Sequence, residues 1–319
     1  MLHAKQTAFV FPGQGAQFVG MASALAARYH VARQTFEEAD NILGFELSRL
    51  AFEGPEEQLT DTANAQPALY VAGIAALRAL YESWQTDFKP AFMAGHSLGE
   101  FTALTAAGAI SFPDGLKLVR RRGELMRDAD LGGKGGMAAI LGLTVPQVEV
   151  ACSQAQEAVG EPVVVANDNC PGQVVISGHI DALQVAMKQA EASGARKTIR
   201  LAVSTAPHSP LMASAAEDFK QALNAAPFHP PRIPIVGNTT ATPLSDEASI
   251  RAELSEQLIG RVRWTESVRT MLQAGVTTFV ELGSGGVLTG LIKRIERNTE
   301  RFVVDMPTDV EKLPPAAME

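Results

Sequence analysis

Short apolar, β-branched runs alternate with stretches of helical period along most of this chain, and that alternation narrows the fold more than any single motif. A strand with no polar face must be covered on both sides, and helices between successive strands do that. The expected class is therefore α/β with a largely parallel sheet. Residues 7–11 (TAFVF) read as the first buried strand, with 92–95, 233–236 and 278–282 as later ones. Helical patterns cover 18–28, 31–42, 66–81, 98–107, 210–224, 247–259, 265–274 and 286–297. Asp114 is the expected N-cap of a further long helix running through Arg127. The tail, with Pro314 and Pro315, is expected to be loosely held.

One segment changes the pattern. Gly132-Gly133-Lys134-Gly135-Gly136 reads as a hinge or linker. After it come a strand at 137–143, a helix at 145–156, strands at 162–166 and 174–177, a helix at 180–193 and a strand at 197–203. The order β-α-β-β-α-β is that of a split βαβ, or ferredoxin-like, unit. Residues 132–202 are thus expected to form a small subdomain inserted into a larger one made of 1–131 and 203–319.

The chemistry-bearing signal is Gly95-His96-Ser97-Leu98-Gly99, a G-x-S-x-G placed where a strand meets a helix, as a nucleophile elbow requires. The tight turn projects the Ser97 hydroxyl from the sheet's carboxyl edge. The N–H of Leu98, at a helix N-terminus, can face a developing oxyanion. The plain alternative is a glycine-flanked turn with an exposed serine. A serine nucleophile needs a base, and six histidines allow elimination. His3 is terminal, His30 ends a helical stretch and His229 sits among prolines. His179 opens a helix of the inserted unit, and the bend should turn the His96 ring away from its neighbour. His208 is left, in a loop at the subdomain junction, where clefts form.

Two other glycine-rich stretches carry less. Gly13-Gln14-Gly15-Ala16-Gln17-Phe18 follows the first strand, but a dinucleotide fingerprint needs glycine where Phe18 stands. A loop supplying a second oxyanion donor, at the backbone N–H of Gln14, is the alternative. Gly283-Ser284-Gly285-Gly286 is expected to end a strand and open a helix.

Composition removes several function classes. Lys plus Arg is 27 against 35 Asp plus Glu, a net charge of −8, which disfavours nucleic acid as a partner. Two cysteines, Cys152 and Cys170, cannot build a disulfide framework or a four-Cys zinc site. No Walker A sequence or convincing metal cluster is seen, so no metal and no cofactor are expected. The N-terminal apolar run is too short for a signal peptide. The stretch 67–80, interrupted by Arg78, is too short to span a bilayer. A soluble, cytoplasmic protein with no membrane partner is the expectation.

Taken together, Phe11-Pro12-Gly13-Gln14-Gly15-Ala16-Gln17 and Gly95-His96-Ser97-Leu98-Gly99-Glu100 resemble the malonyl-CoA:acyl carrier protein transacylases. So do Arg122-Gly123, residues 171–178 (PGQVVISG), Gln257-Leu258 before Val262-Arg263-Trp264, and the closing Glu281-Leu282-Gly283 with 287–291 (VLTGL). The similarity runs in order from about residue 6 to 297. It implies an α/β-hydrolase-like large subdomain carrying a ferredoxin-like small one. It implies Ser97 as nucleophile, His208 as base, and the Gln14 and Leu98 N–H groups as oxyanion hole. The Gln257 backbone carbonyl would orient the imidazole, and Arg122 would hold the free carboxylate of a malonyl group. Malonyl-CoA and acyl carrier protein are the implied partners, with a monomer expected. Arg196, Lys197, Arg200, Lys293, Arg294 and Arg297 are candidates for a basic face toward an acidic carrier. Pro207 stands where relatives commonly carry Phe or Ser, which leaves malonyl against branched acyl units open. A trans-acting acyltransferase of polyketide synthesis, a serine esterase and a non-catalytic carrier scaffold are the alternatives.

Overall fold

The computed structural model describes residues 1–86, 88–129, 132–203 and 205–316. Its strands, in chain order, are β1 (Thr7–Phe11), β2 (Phe92–Gly95), β3 (Gly135–Leu141), β4 (Val163–Cys170), β5 (Gln173–His179), β6 (Lys197–Arg200), β7 (Ile235–Val236), β8 (Pro243–Leu244), β9 (Thr278–Leu282) and β10 (Glu300–Val304). Six form one sheet in the order β10-β9-β1-β2-β7-β8, parallel except for β8. Every residue of β1 is buried, because both faces of the sheet are covered. Phe9 and Phe11 enter the core formed with the helices Thr62–Trp84 and Phe112–Asp128. Ala8 and Val10 pack on the opposite side with Trp264 and Val268.

The other four strands form an antiparallel sheet in the order β4-β5-β3-β6. With the helices Val145–Val159 and Ile180–Ala192 this is the ferredoxin-like arrangement, β5 splitting β3 from β4. The fold class is the one expected. Both helices cover one face of the small sheet. The other face carries Met137, Ala139, Ala166 and Val175. Strand β4 is stitched to the large sheet's side of the molecule. The Asp168 N–H donates to the Val262 carbonyl at 2.9 Å and the Val262 N–H to the Ala166 carbonyl at 2.8 Å. The Thr265 hydroxyl donates to Asp168 Oδ1 at 2.7 Å. Among the described residues no helix is long and apolar enough to cross a membrane.

Several local expectations need correction. The helix expected from 18 is Ser23–Arg28, because Gly20 and Ala22 take positive φ and interrupt it. Ser111, not Asp114, is the N-cap of Phe112–Asp128; its hydroxyl accepts from the Asp114 N–H, with Pro113 early in the first turn. The glycine run is only half a linker, since Gly135 and Gly136 belong to β3. Leu131, at the expected first junction, and residues 317–319 lie outside the described residues. The tail up to 316 is not loosely held. Strand β10 pairs with β9, Val310 and Leu313 are buried, and the Leu2 N–H donates to the Pro315 carbonyl at 2.9 Å.

Candidate active site

Strand β2 ends at Gly95 and a helix begins at Gly99, so the turn between them is as short as the motif demands. A Cβ on Gly95 would lie 1.9 Å from the Gly99 carbonyl carbon, and one on Gly99 would lie 2.0 Å from the Phe11 carbonyl oxygen. Only glycine lets the three backbone segments meet. Ser97 pays for the bend with a φ of 51°, in the left-handed region that L-residues avoid. Asn238 holds the turn from β7's side: its Oδ1 accepts from the Ser97 N–H at 2.6 Å and its Nδ2 donates to the Gly95 carbonyl at 2.7 Å.

His208 comes to this turn from residues far along the chain. Its Nε2 lies 2.9 Å from Ser97 Oγ. Its Nδ1 lies 2.8 Å from the Gln257 carbonyl and 3.0 Å from that of Gly260. Those carbonyls stand at the C-terminal end of the helix Glu247–Gln257, where backbone oxygens lack intrahelical partners. Carbonyls can only accept, so Nδ1 carries the proton and Nε2 presents its lone pair to the serine. The helix end, with its partial negative charge, does the orienting that a carboxylate does in other serine–histidine sites.

Arg122 completes the group. Of the consecutive Arg120, Arg121 and Arg122, the first pairs with Glu124 and the Ala63 carbonyl and the second is exposed. Only Arg122 is buried, at 1% exposure. Its Nη1 donates to Gln66 Oε1 at 2.7 Å, and its Nη2 to Ser97 Oγ at 3.0 Å and Gln257 Oε1 at 3.1 Å. Because Arg122 donates to Oγ, the Ser97 hydroxyl proton is directed at His208. Burial draws the guanidinium down to about 10, so it stays charged at neutral pH. Burial, then the Arg122 charge and His96, hold the His208 imidazole down at about 3, which keeps it neutral and able to accept a proton.

These groups line a cleft of about 560 Å³ between the two subdomains. Gln14 sits on its wall, and its side-chain oxygen accepts from the Thr62 hydroxyl at 2.8 Å. Among the described residues, neither the Gln14 N–H nor the Leu98 N–H donates to a backbone carbonyl. Met137, Val175 and Leu201 supply an apolar wall from the small subdomain, continued by Val203 just past its end. No group of His, Cys, Asp and Glu among the described residues could hold a metal ion.

Sequence reasoning missed part of this. The His96 ring, expected to turn away from Ser97, has its Nε2 2.8 Å from Asn169 Oδ1 of β4, and it also lines the cleft, a place the sequence did not indicate. Gln66, Glu100, Asn169 and Asn238 are all buried polar residues that no local pattern singled out. The signal for two of them was a polar side chain in an apolar helical run: Gln66 among 65–80 and Glu100 just inside the helix after the serine. Of the basic candidates, Arg196 and Arg294 converge on one pair of turns. The Arg196 N–H donates to the Leu141 carbonyl at 2.7 Å and Arg294 Nη2 to the Pro171 carbonyl at 3.2 Å. The Gly142 N–H donates to Gly172 at 3.0 Å between those turns. Lys197, Arg200, Lys293 and Arg297 are exposed.

Comparison with known proteins adds to this geometry. Residues 8–311 match the acyl transferase domain family. The chain is 44% identical over 304 residues to a malonyl CoA-acyl carrier protein transacylase of Bacillus subtilis strain 168, covering 95% of both chains. It is 44% identical over 292 residues to that of Escherichia coli K12, covering 91% of this chain and 93% of the other. A crystal structure of an acyl carrier protein S-malonyltransferase from Vibrio cholerae superposes with a TM-score of 0.92 at 42% identity, over 96% of this chain and 99% of that one. A malonyl-transacylase in complex with a type II PKS acyl-carrier protein gives 0.93 at 40% identity, over 96% and 98%.

Proposed function

The chain belongs to the acyl transferase domain family, and on that premise we propose that it moves a malonyl group from malonyl-CoA to the phosphopantetheine thiol of acyl carrier protein, in fatty acid biosynthesis. The observation that carries this reading is the meeting of a neutral histidine and a buried guanidinium on one serine hydroxyl, each within hydrogen-bond reach of it. A serine–histidine pair alone would serve an esterase. The cation beside it selects an acyl group that carries its own negative charge.

Ser97 Oγ attacks the thioester carbonyl as its proton passes to His208 Nε2. The Gln14 and Leu98 N–H groups receive the oxyanion, each donor of this kind being worth about 3 kcal/mol of barrier. The C–S bond then breaks, and the imidazolium returns its proton to the departing coenzyme A thiolate. The malonyl chain is short, so its free carboxylate lies beside the esterified oxygen, where Arg122 stands. The carrier thiol enters the same cleft, gives its proton to His208, and attacks the ester. Collapse of that intermediate breaks the ester bond, the imidazolium returns its proton to Ser97 Oγ, and the ping-pong cycle is complete. No metal or cofactor enters any step. Both walls of the cleft come from one chain, which supports a monomer as the working unit.

Malonyl-CoA alone is expected to leave a malonyl ester that accumulates on Ser97, seen as one added malonyl group by intact mass spectrometry and located by peptide mapping. Steady hydrolysis without an adduct would favour an esterase, and an adduct elsewhere would remove Ser97 from its role. Competition between fatty acid and polyketide carriers for the loaded enzyme separates the proposed setting from a polyketide one, whose support is the likeness to the transacylase bound to a type II PKS carrier.

The pH profile should carry the mark of the buried base. Protonated His208 cannot take the serine proton, so activity is lost as pH falls through its pKa. Free histidine titrates near 6.5, whereas His208 is held at about 3. The kcat/KM for malonyl-CoA is therefore expected to stay level as pH falls from about 8 to about 5, measured where circular dichroism reports a folded chain. An acid limb centred near that of free histidine would contradict it.

A further inference from the structure

Gln257 touches every member of the site at once. Its backbone carbonyl accepts from His208 Nδ1 and its Oε1 from Arg122 Nη2. Its Nε2 donates to the Ser97 carbonyl at 3.0 Å and to Glu100 Oε2. An amide has one acceptor end and one donor end, and they are nearly the same shape. Were the Gln257 amide turned over, its N–H groups would face the Arg122 guanidinium, which is itself only a donor. The Arg122 contact would be lost, and with it one of the two amide oxygens, Gln66 Oε1 being the other, that hold the guanidinium beside Ser97.

We propose that Glu100 is the positioning residue that sets this amide, and through it the Arg122 guanidinium, for recognition of an acyl group bearing a free carboxylate. Glu100 is wholly buried; among the described residues its Oε1 has no hydrogen-bond partner, and its carboxyl is held by the Gln257 amide and by the Asn238 backbone N–H. It does not act as a counter-ion to Arg122. Burial, and then the nearby Glu253, push its carboxyl well above the usual carboxylate range, opposed by the Gln257 and Asn238 hydrogen bonds and least by the Arg122 charge. Glu253 is occupied separately, accepting from the backbone and hydroxyl groups of Thr239 and Thr240. What Glu100 supplies is thus an acceptor oxygen at a fixed point, on the first turn of the helix that starts beside the nucleophile.

The proposal rests on the malonyl reading above and is tested by substrate preference. Glu100→Gln keeps an acceptor oxygen in nearly the same volume. Glu100→Leu keeps the volume and loses the acceptor. The ratio of kcat/KM for malonyl-CoA to that for acetyl-CoA is the readout, because a merely structural defect lowers the folded fraction and leaves the ratio unchanged. The Glu100→Gln ratio is expected within about threefold of wild type, and the Glu100→Leu ratio roughly 10- to 100-fold lower, the loss for one hydrogen bond to a charged network. A wild-type ratio in folded Glu100→Leu overturns the proposal. So does a collapsed ratio in Glu100→Gln, which carries the test by itself if the leucine variant does not fold. A wild-type protein with no preference for malonyl-CoA fails the malonyl reading instead.

Discussion

Replacing Arg122 by Ala is expected to lower kcat/KM for malonyl-CoA by roughly 10²- to 10⁴-fold, the range for removing one partner of a buried ion pair. Turnover of acetyl-CoA should fall far less, or rise. In the wild-type protein an acetyl group leaves the buried guanidinium with only amide and hydroxyl acceptors. Arg122 also touches Ser97 Oγ, so some loss of rate is common to every substrate. The ratio of the two substrates cancels that common part and isolates the carboxylate contact. An unchanged ratio, measured by carrier loading with each thioester, would take Arg122 out of acyl recognition.

Ser97→Ala should abolish both the covalent adduct and transfer, a loss on the order of 10⁴- to 10⁶-fold. His208→Ala is expected to cost a similar factor, because a serine without its base is a poor nucleophile at neutral pH. The double variant should be little worse than either single one, since the two groups act as a unit through the 2.9 Å contact. Additive losses would show that they work independently. Retained turnover in Ser97→Ala would favour a scaffold that only docks the carrier.

The elbow was legible because its causes are local. Gly95 and Gly99 are four residues apart and each is forced by a close backbone approach at the same turn. The helix around 31–42 was legible from its one-sided apolar period, and the first strand and the helix around 66–81 as near-continuous apolar runs of strand and helix length. The elements that escaped notice are short or peripheral. Leu47–Glu53 and Glu56–Thr60 are too short to display a period, and β10 is an edge strand with a mixed Glu-Arg-Phe-Val-Val sequence. Its partner is β9, whose outer edge it covers, and nothing in its own residues announces that pairing.

The polar spine of the site was mostly illegible for the opposite reason. Ser97 and Asn238 are 141 residues apart, Arg122 and Gln257 are 135 apart, and Gln257 and Glu100 are 157 apart. A buried amide in a helix looks, in sequence, like a surface amide. Its value depends on what the rest of the chain delivers to it.

By itself the sequence determined the α/β class, the ferredoxin-like insertion and a serine thrust from a tight turn, because periodicity and glycine-bounded turns act over a few residues. The sequence also narrowed the base to His208 by elimination and the cation to Arg122 by resemblance, but only the tertiary structure decided how closely those groups meet the serine, how deeply they are buried and which protons they hold. Hydrogen-bond partners and loss of water set those properties, and both arise only when segments more than a hundred residues apart close on the same cleft.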